Sequence, residues 1–171
     1  MKRTLYLPIL FIALILSALN GFSQVIRGTY AIKNNETGIL LRIKDANKSN
    51  GTHLVAYPPV NWKCVTWDFK HVEGQSYQLK NLFTSKTFQP ANSASADRIA
   101  LEQQPLVLNQ QSQQYEFVPV EKDTYLIKLK GTGLYITPSD NKGAENADII
   151  LAAKNGNKLQ QWTIYEQKPT M

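Results

Sequence analysis

Asp45, Asn47 and Asn50 stand just ahead of His53, and Tyr57 and Trp62 follow close behind. Carboxylate and amide oxygens accept hydrogen bonds from hydroxyl groups, and an aromatic face covers the apolar C–H side of a sugar ring. This stretch is therefore expected to hold a glycan or another polyol. A weaker set with the same chemistry follows at Asp140, Asn141, Asn155 and Gln160. The competing reading is that these polar side chains only shape solvated turns.

Bond-breaking chemistry has less support. The chain has no glycine-any-serine-any-glycine elbow, no phosphate loop and no cluster with metal-ligand spacing, and His53 and His71 are its only histidines. Carboxylates such as Asp97 and Glu102 cannot be paired as acid and base from their spacing. We expect no catalytic residue, cofactor or metal, and read the chain as a binding module.

Residues 1–23 are expected to be a signal peptide, because Lys2 and Arg3 precede a mainly apolar run from Leu5 to Leu19 that ends at Gly21-Phe22-Ser23. That run is shorter than the ~20 apolar residues of a spanning helix. Cleavage before Gln24 is favoured over retention as an anchor, which places the product outside the cell or in a periplasm. Residues 24–171 are then one domain with room for a sizeable core. Loss of Lys2 and Arg3 lowers the net charge from +6 to +4, and the remaining basic residues are scattered. Nucleic acid is not an expected partner. Cys64 is the only cysteine, so no internal disulfide can form; between Trp62 and Trp67 it reads as a small buried apolar side chain.

The elements that must carry these residues come in threes. One segment opens Gly28-Thr29-Tyr30-Ala31-Ile32-Lys33 and closes Thr66-Trp67-Asp68-Phe69; a second opens Ser76-Tyr77-Gln78-Leu79-Lys80 and closes Gln114-Tyr115-Glu116-Phe117; a third opens Thr124-Tyr125-Leu126-Ile127-Lys128 and closes Gln161-Trp162-Thr163-Ile164. The opening tyrosines are 47 and 48 positions apart, and the distance from tyrosine to closing aromatic is 37, 38 and 37 positions. Each segment reads as four short strands separated by turn residues, in the first at Tyr30–Lys33, Ile39–Ile43, His53–Tyr57 and Thr66–Phe69. Twelve short strands in three equal units call for a closed all-β form without exposed edges. The repeated aromatics read as shared core.

Gln160-Gln161-Trp162 resembles the glutamine-any-tryptophan signature that closes the repeats of ricin B-type lectins. Gln113-Gln114-Tyr115 keeps the glutamine, whereas Val65-Thr66-Trp67 lacks it, and Gly51-Thr52-His53-Leu54-Val55 is similar to the family's glycine-threonine turn. The resemblance covers roughly Gly28 to Glu166. It implies an all-β β-trefoil with twelve short strands in three repeats, about residues 28–70, 75–118 and 123–166, and a lectin-like role. Gln113 and Gln160 are expected to tie neighbouring strands.

Sugar-binding members resemble one another in an aspartate after the apolar pair of the second strand, an aromatic after the third, and an asparagine before the signature glutamine. Here Arg42 follows Leu40-Leu41, Gln89 follows Phe88, and Leu134-Tyr135-Ile136-Thr137 carries no acid; Cys64, Ser112 and Leu159 stand before the signature position. The usual galactose pattern is thus missing from every unit. A second functional class is a protein-binding trefoil, similar in architecture to secreted protease inhibitors, in which loops stiffened by Pro58-Pro59 or Pro119 meet a protein partner.

Overall fold

The computed structural model describes residues 24–92, 98–140 and 142–170. The expected signal peptide and Asn141 lie outside them. Twelve strands follow in chain order: β1 (Gly28–Asn34), β2 (Leu40–Ile43), β3 (Leu54–Tyr57), β4 (Thr66–Glu73), β5 (Ser76–Asn81), β6 (Thr87–Pro90), β7 (Ile99–Gln104), β8 (Tyr115–Glu121), β9 (Thr124–Leu129), β10 (Leu134–Pro138), β11 (Ile149–Ala153) and β12 (Gln161–Glu166).

Alternation along a strand sends every second side chain to the same face. Six strands use it to aim two bulky residues inward each: Tyr30 and Ile32, Trp67 and Phe69, Tyr77 and Leu79, Tyr115 and Phe117, Tyr125 and Ile127, Trp162 and Ile164. Antiparallel pairing joins β1 to β4, β4 to β5, β5 to β8, β8 to β9, β9 to β12 and β12 back to β1, which closes a barrel. Phe69, Tyr77 and Phe117 pack edge to face inside it, with ring centroids 5.1–5.7 Å apart. The other six strands form the hairpins β2–β3, β6–β7 and β10–β11. These three hairpins cap the barrel and meet through β7–β11 pairing and the bridges His53–Glu102 and Val55–Asp148. The architecture is a β-trefoil.

Hydrogen bonds repeat with the strands. The Trp67 and Trp162 indole N–H groups donate to the carbonyls of Leu41 (3.1 Å) and Ile136 (3.0 Å), and the Tyr115 hydroxyl donates to that of Phe88 at 3.4 Å. Each closing aromatic therefore fixes the backbone of its own capping hairpin. Asn34 and Asn81, both fully buried, donate to the carbonyls of Leu159 and Cys64 and accept from the turn that follows them. Cys64 is buried and free.

No α-helix occurs among the described residues; the only helical pieces are single 3-10 turns at Lys44–Ala46, Lys63–Val65, Gln111–Gln113 and Lys158–Gln160. None is long and apolar enough to cross a membrane. Pro119, expected in a loop, instead lies in β8 opposite Tyr125, beside a register shift between Pro119 and Glu121. A strand tolerates a residue without an N–H at such an irregularity.

Candidate functional site

The first hairpin positions its side chains by strand alternation. Register places Leu40 opposite Tyr57, Leu41 opposite Ala56, and Arg42 opposite Val55. Leu41, Ile43, Leu54 and Ala56 join the main core, so Leu40, Arg42, Val55 and Tyr57 share the outer face. Residues 58–65 fold back across this face, and Trp62 packs with Ala46 and Val60 against a small cluster of Ala31, Leu40, Cys64 and Val65.

Three side chains come together there. The Arg42 guanidinium carbon lies 3.9 Å from the centre of the Tyr57 ring, and the Tyr57 and Trp62 rings are 6.0 Å apart at an interplanar angle of 35°. Tyr57 and Trp62 are partly exposed, whereas Arg42 is only 8% exposed. The Arg42 Nε–H is enclosed with no hydrogen-bond partner, and no carboxylate among the described residues pairs with the guanidinium. The rings offer an angled apolar surface for C–H groups, and the guanidinium is a donor-only group with no acceptor spent on it. Arg42 was not among the candidates that the sequence offered. Its signal was its place directly after Leu40-Leu41, where an acid was sought.

The remaining candidates separate. His53 lies four residues before Tyr57, roughly 13 Å away along a strand, and its Nδ1 is 3.1 Å from Asp148 Oδ1. It joins the first cap to the third instead of the aromatic pair. Asn47 closes its own turn, with Oδ1 accepting from Ser49 N at 2.9 Å, and its carbonyl accepts from Gln103 Nε2 at 2.6 Å. Asn50 Oδ1 accepts from Lys86 Nζ at 2.6 Å. Asp45 is exposed on the 3-10 turn, where it and Ala46 have φ of 51° and 50°. Ala46, the next residue, borders the same apolar hollow as Trp62.

The later set does not form a site. Asp140 Oδ1 accepts from Gly143 N at 2.7 Å, and its Oδ2 accepts from Ala144 N at 3.0 Å, so this carboxylate shapes a turn. Gly143 has φ of 58°, and a Cβ on it would lie 2.8 Å from Thr37 Oγ1, so that turn has no space for a side chain. Gln160 is fully buried; it donates to the Ala153 carbonyl at 2.8 Å and accepts from the Asn155 backbone N–H at 3.1 Å. Asn155 Oδ1 accepts from Asn157 N. Gln160 is a strand tie, as its role in the repeat implied, and it is corrected here as a ligand contact because a ligand cannot reach it. Gln113 is its counterpart, donating to Pro105 O and Gln89 Oε1 and accepting from Val107 N.

Register identifies what the other two caps carry at the positions of Arg42 and Tyr57: Gln89 and Gln104 in the second, Thr137 and Ala152 in the third. Neither pair supplies a cation or a ring.

Residues 21–104 and 63–152 match the model of the ricin-type β-trefoil lectin-like domains. The chain belongs to this ricin-type family. No curated protein matches it. Among solved structures this family member is similar to the designed three-fold symmetric protein ThreeFoil, at 19% identity and a TM-score of 0.77 over 81% of this chain and 99% of that one. It is also similar to the Rhizoctonia solani agglutinin, at 17% identity and 0.74 over 84% and 98%. The Macrolepiota procera ricin B-like lectin, solved in complex with lactose, matches at 18% identity and 0.66 over 83% and 98%. At such identities the likeness is one of fold, and the ricin-type site must be read from its own residues.

Proposed function

We propose that the protein is an exported, non-catalytic carbohydrate-binding module whose working site is the outer face of the first cap. The observation that carries this reading is the Tyr57–Trp62 pair, two partly exposed rings held 6.0 Å apart by the β2–β3 hairpin and the loop folded over it. Aromatic faces bind sugar rings through their apolar C–H surface, and Asp45 on the adjoining turn supplies a hydroxyl acceptor. Family membership and the lactose complex of the Macrolepiota procera lectin support the ligand class. Export is supported by the Lys2-Arg3 start and the apolar run behind it.

With Arg42, Gln89 and Thr137 at the family's aspartate position, galactose recognition of the usual geometry is not expected in any unit. One site per chain implies modest affinity unless copies are presented together. A glycan array probed with the full chain and with the double variant Tyr57→Ala, Trp62→Ala tests the reading. The expected result is binding by the parent and a loss of about tenfold or more in the variant, as removal of roughly 1.5 kcal/mol of ring contact implies. Unchanged binding by the variant would remove the site from this hairpin.

A further inference from the structure

We infer that the first-cap site takes a saccharide bearing an anionic group, a carboxylate or a sulfate, and that Arg42 is the residue that selects it. The inference rests on the carbohydrate reading above and deepens it. Arg42 is more than nine-tenths buried, its Nε–H faces no acceptor, and its guanidinium is paired with no acid among the described residues. What it touches instead is the face of Tyr57 at 3.9 Å. Its neighbours on the outer face, Leu40 and Val55, are apolar. Enclosing an unpaired cation costs far more than one cation–π contact returns.

That leaves an unmet electrostatic demand beside a sugar-sized aromatic surface. A neutral hydroxyl can accept one hydrogen bond from the guanidinium but cannot offset its charge. A carboxylate or sulfate presents two oxygens that match the planar N–H fork and neutralises it. Asp45, the acid nearest in sequence, is exposed and makes no ion pair with Arg42, so it does not already fill this role. The exposed Lys63 lines the hollow beside Trp62 and adds positive charge on that side. Nothing equivalent exists in the other caps: Gln89 accepts from Gln110 and Gln113, and Thr137 donates to the Leu159 carbonyl. The anionic site is therefore single.

Isothermal titration of the full chain with galactose, galactose 6-sulfate and trigalacturonate tests this. The expected result is a preference of at least about tenfold for one or both charged sugars over galactose, the scale of one charge-assisted hydrogen bond. The charged sugar that binds more tightly identifies the anion. Arg42→Lys should lose most of the preference and Arg42→Met all of it, leaving the charged sugars bound no more tightly than galactose, with the fold verified by circular dichroism. Equal binding of all three sugars by the parent, or a preference that survives in Arg42→Met, overturns the role of Arg42 while leaving the carbohydrate reading in place. Failure to bind either charged sugar overturns the anionic site, while the glycan array decides the carbohydrate reading.

Discussion

Gln167, just past the end of the last strand, donates from Nε2 to the Val60 carbonyl in the first unit at 2.6 Å. Its Oε1 accepts from Thr66 Oγ1 at 3.1 Å, and its backbone exchanges hydrogen bonds with Thr29. In the second and third units an amide of this kind comes from within the repeat, from Gln113 and Gln160. The first unit has Val65 at that position, and the end of the chain supplies the missing amide.

Gln167→Ala should therefore cost about 1–3 kcal/mol, because it strips the part-buried Val60 carbonyl of its partner and leaves the buried Thr66 hydroxyl with Trp62 O alone as acceptor. In a domain of this size that is a fall of several degrees in melting temperature. Thermal denaturation followed by circular dichroism measures it; an unchanged midpoint would show that the C-terminal segment does not brace the first unit.

Gln160 and Tyr57 should separate stability from binding. Gln160→Ala removes the amide that satisfies Ala153 O and the Asn155 N–H, and is expected to lower stability by a similar 1–3 kcal/mol with saccharide affinity intact. Tyr57→Ala should do the reverse, with affinity down about tenfold and the melting temperature little changed, since the ring is partly exposed. Paired calorimetry and melting curves check both. A Gln160→Ala protein that melts normally but no longer binds sugar would restore Gln160 to the site.

The repeats were legible because the same inward side chains recur at one period: Tyr30, Tyr77 and Tyr125 open each unit, and Trp67, Tyr115 and Trp162 close it. The site was legible only in part. Tyr57 and Trp62 stand five positions apart and their rings do pack together, but Arg42 reaches Tyr57 diagonally across a hairpin whose register no linear spacing reports. His53 was drawn to Tyr57 by proximity in sequence, whereas strand geometry separates them and the cap brings Asp148 to His53 from 95 residues away. Gln167 lies outside the repeats, so a search for repeated residues passed over it.

Arg42→Met offers a stability test of the anionic site without any ligand. Methionine is close in volume, keeps a contact with the Tyr57 ring and removes a largely buried charge that no acid among the described residues pairs. The variant should be more stable than the parent by about 1 kcal/mol, the low end of what replacing buried charge with apolar packing gives. Urea denaturation measures it. A marked loss of stability would mean that Arg42 serves the fold through its contact with Tyr57.

Alkaline pH should destabilise the protein through its buried phenols. Burial raises the Tyr115 pKa well above its ordinary 10.0; that of Tyr125 is raised as well, first by burial and then by Asp123, Tyr77 and Tyr30. A raised phenol pKa means that the folded state holds its proton more tightly than the unfolded chain does. This contribution to stability is complete below about pH 10 and is lost as pH climbs through the folded values. One unit above the unfolded pKa, a group whose folded pKa lies well above it, as that of Tyr115 does, has given up about 1.4 kcal/mol. Stability from urea titrations at pH 8 and pH 11 should therefore fall, and fall less in Tyr115→Phe, by roughly that amount. Phenylalanine keeps the ring and gives up only a 3.4 Å hydrogen bond to Phe88 O, a loss equal at both pH values. Identical losses in the parent and in Tyr115→Phe would show that Tyr115 is not what limits the fold at high pH.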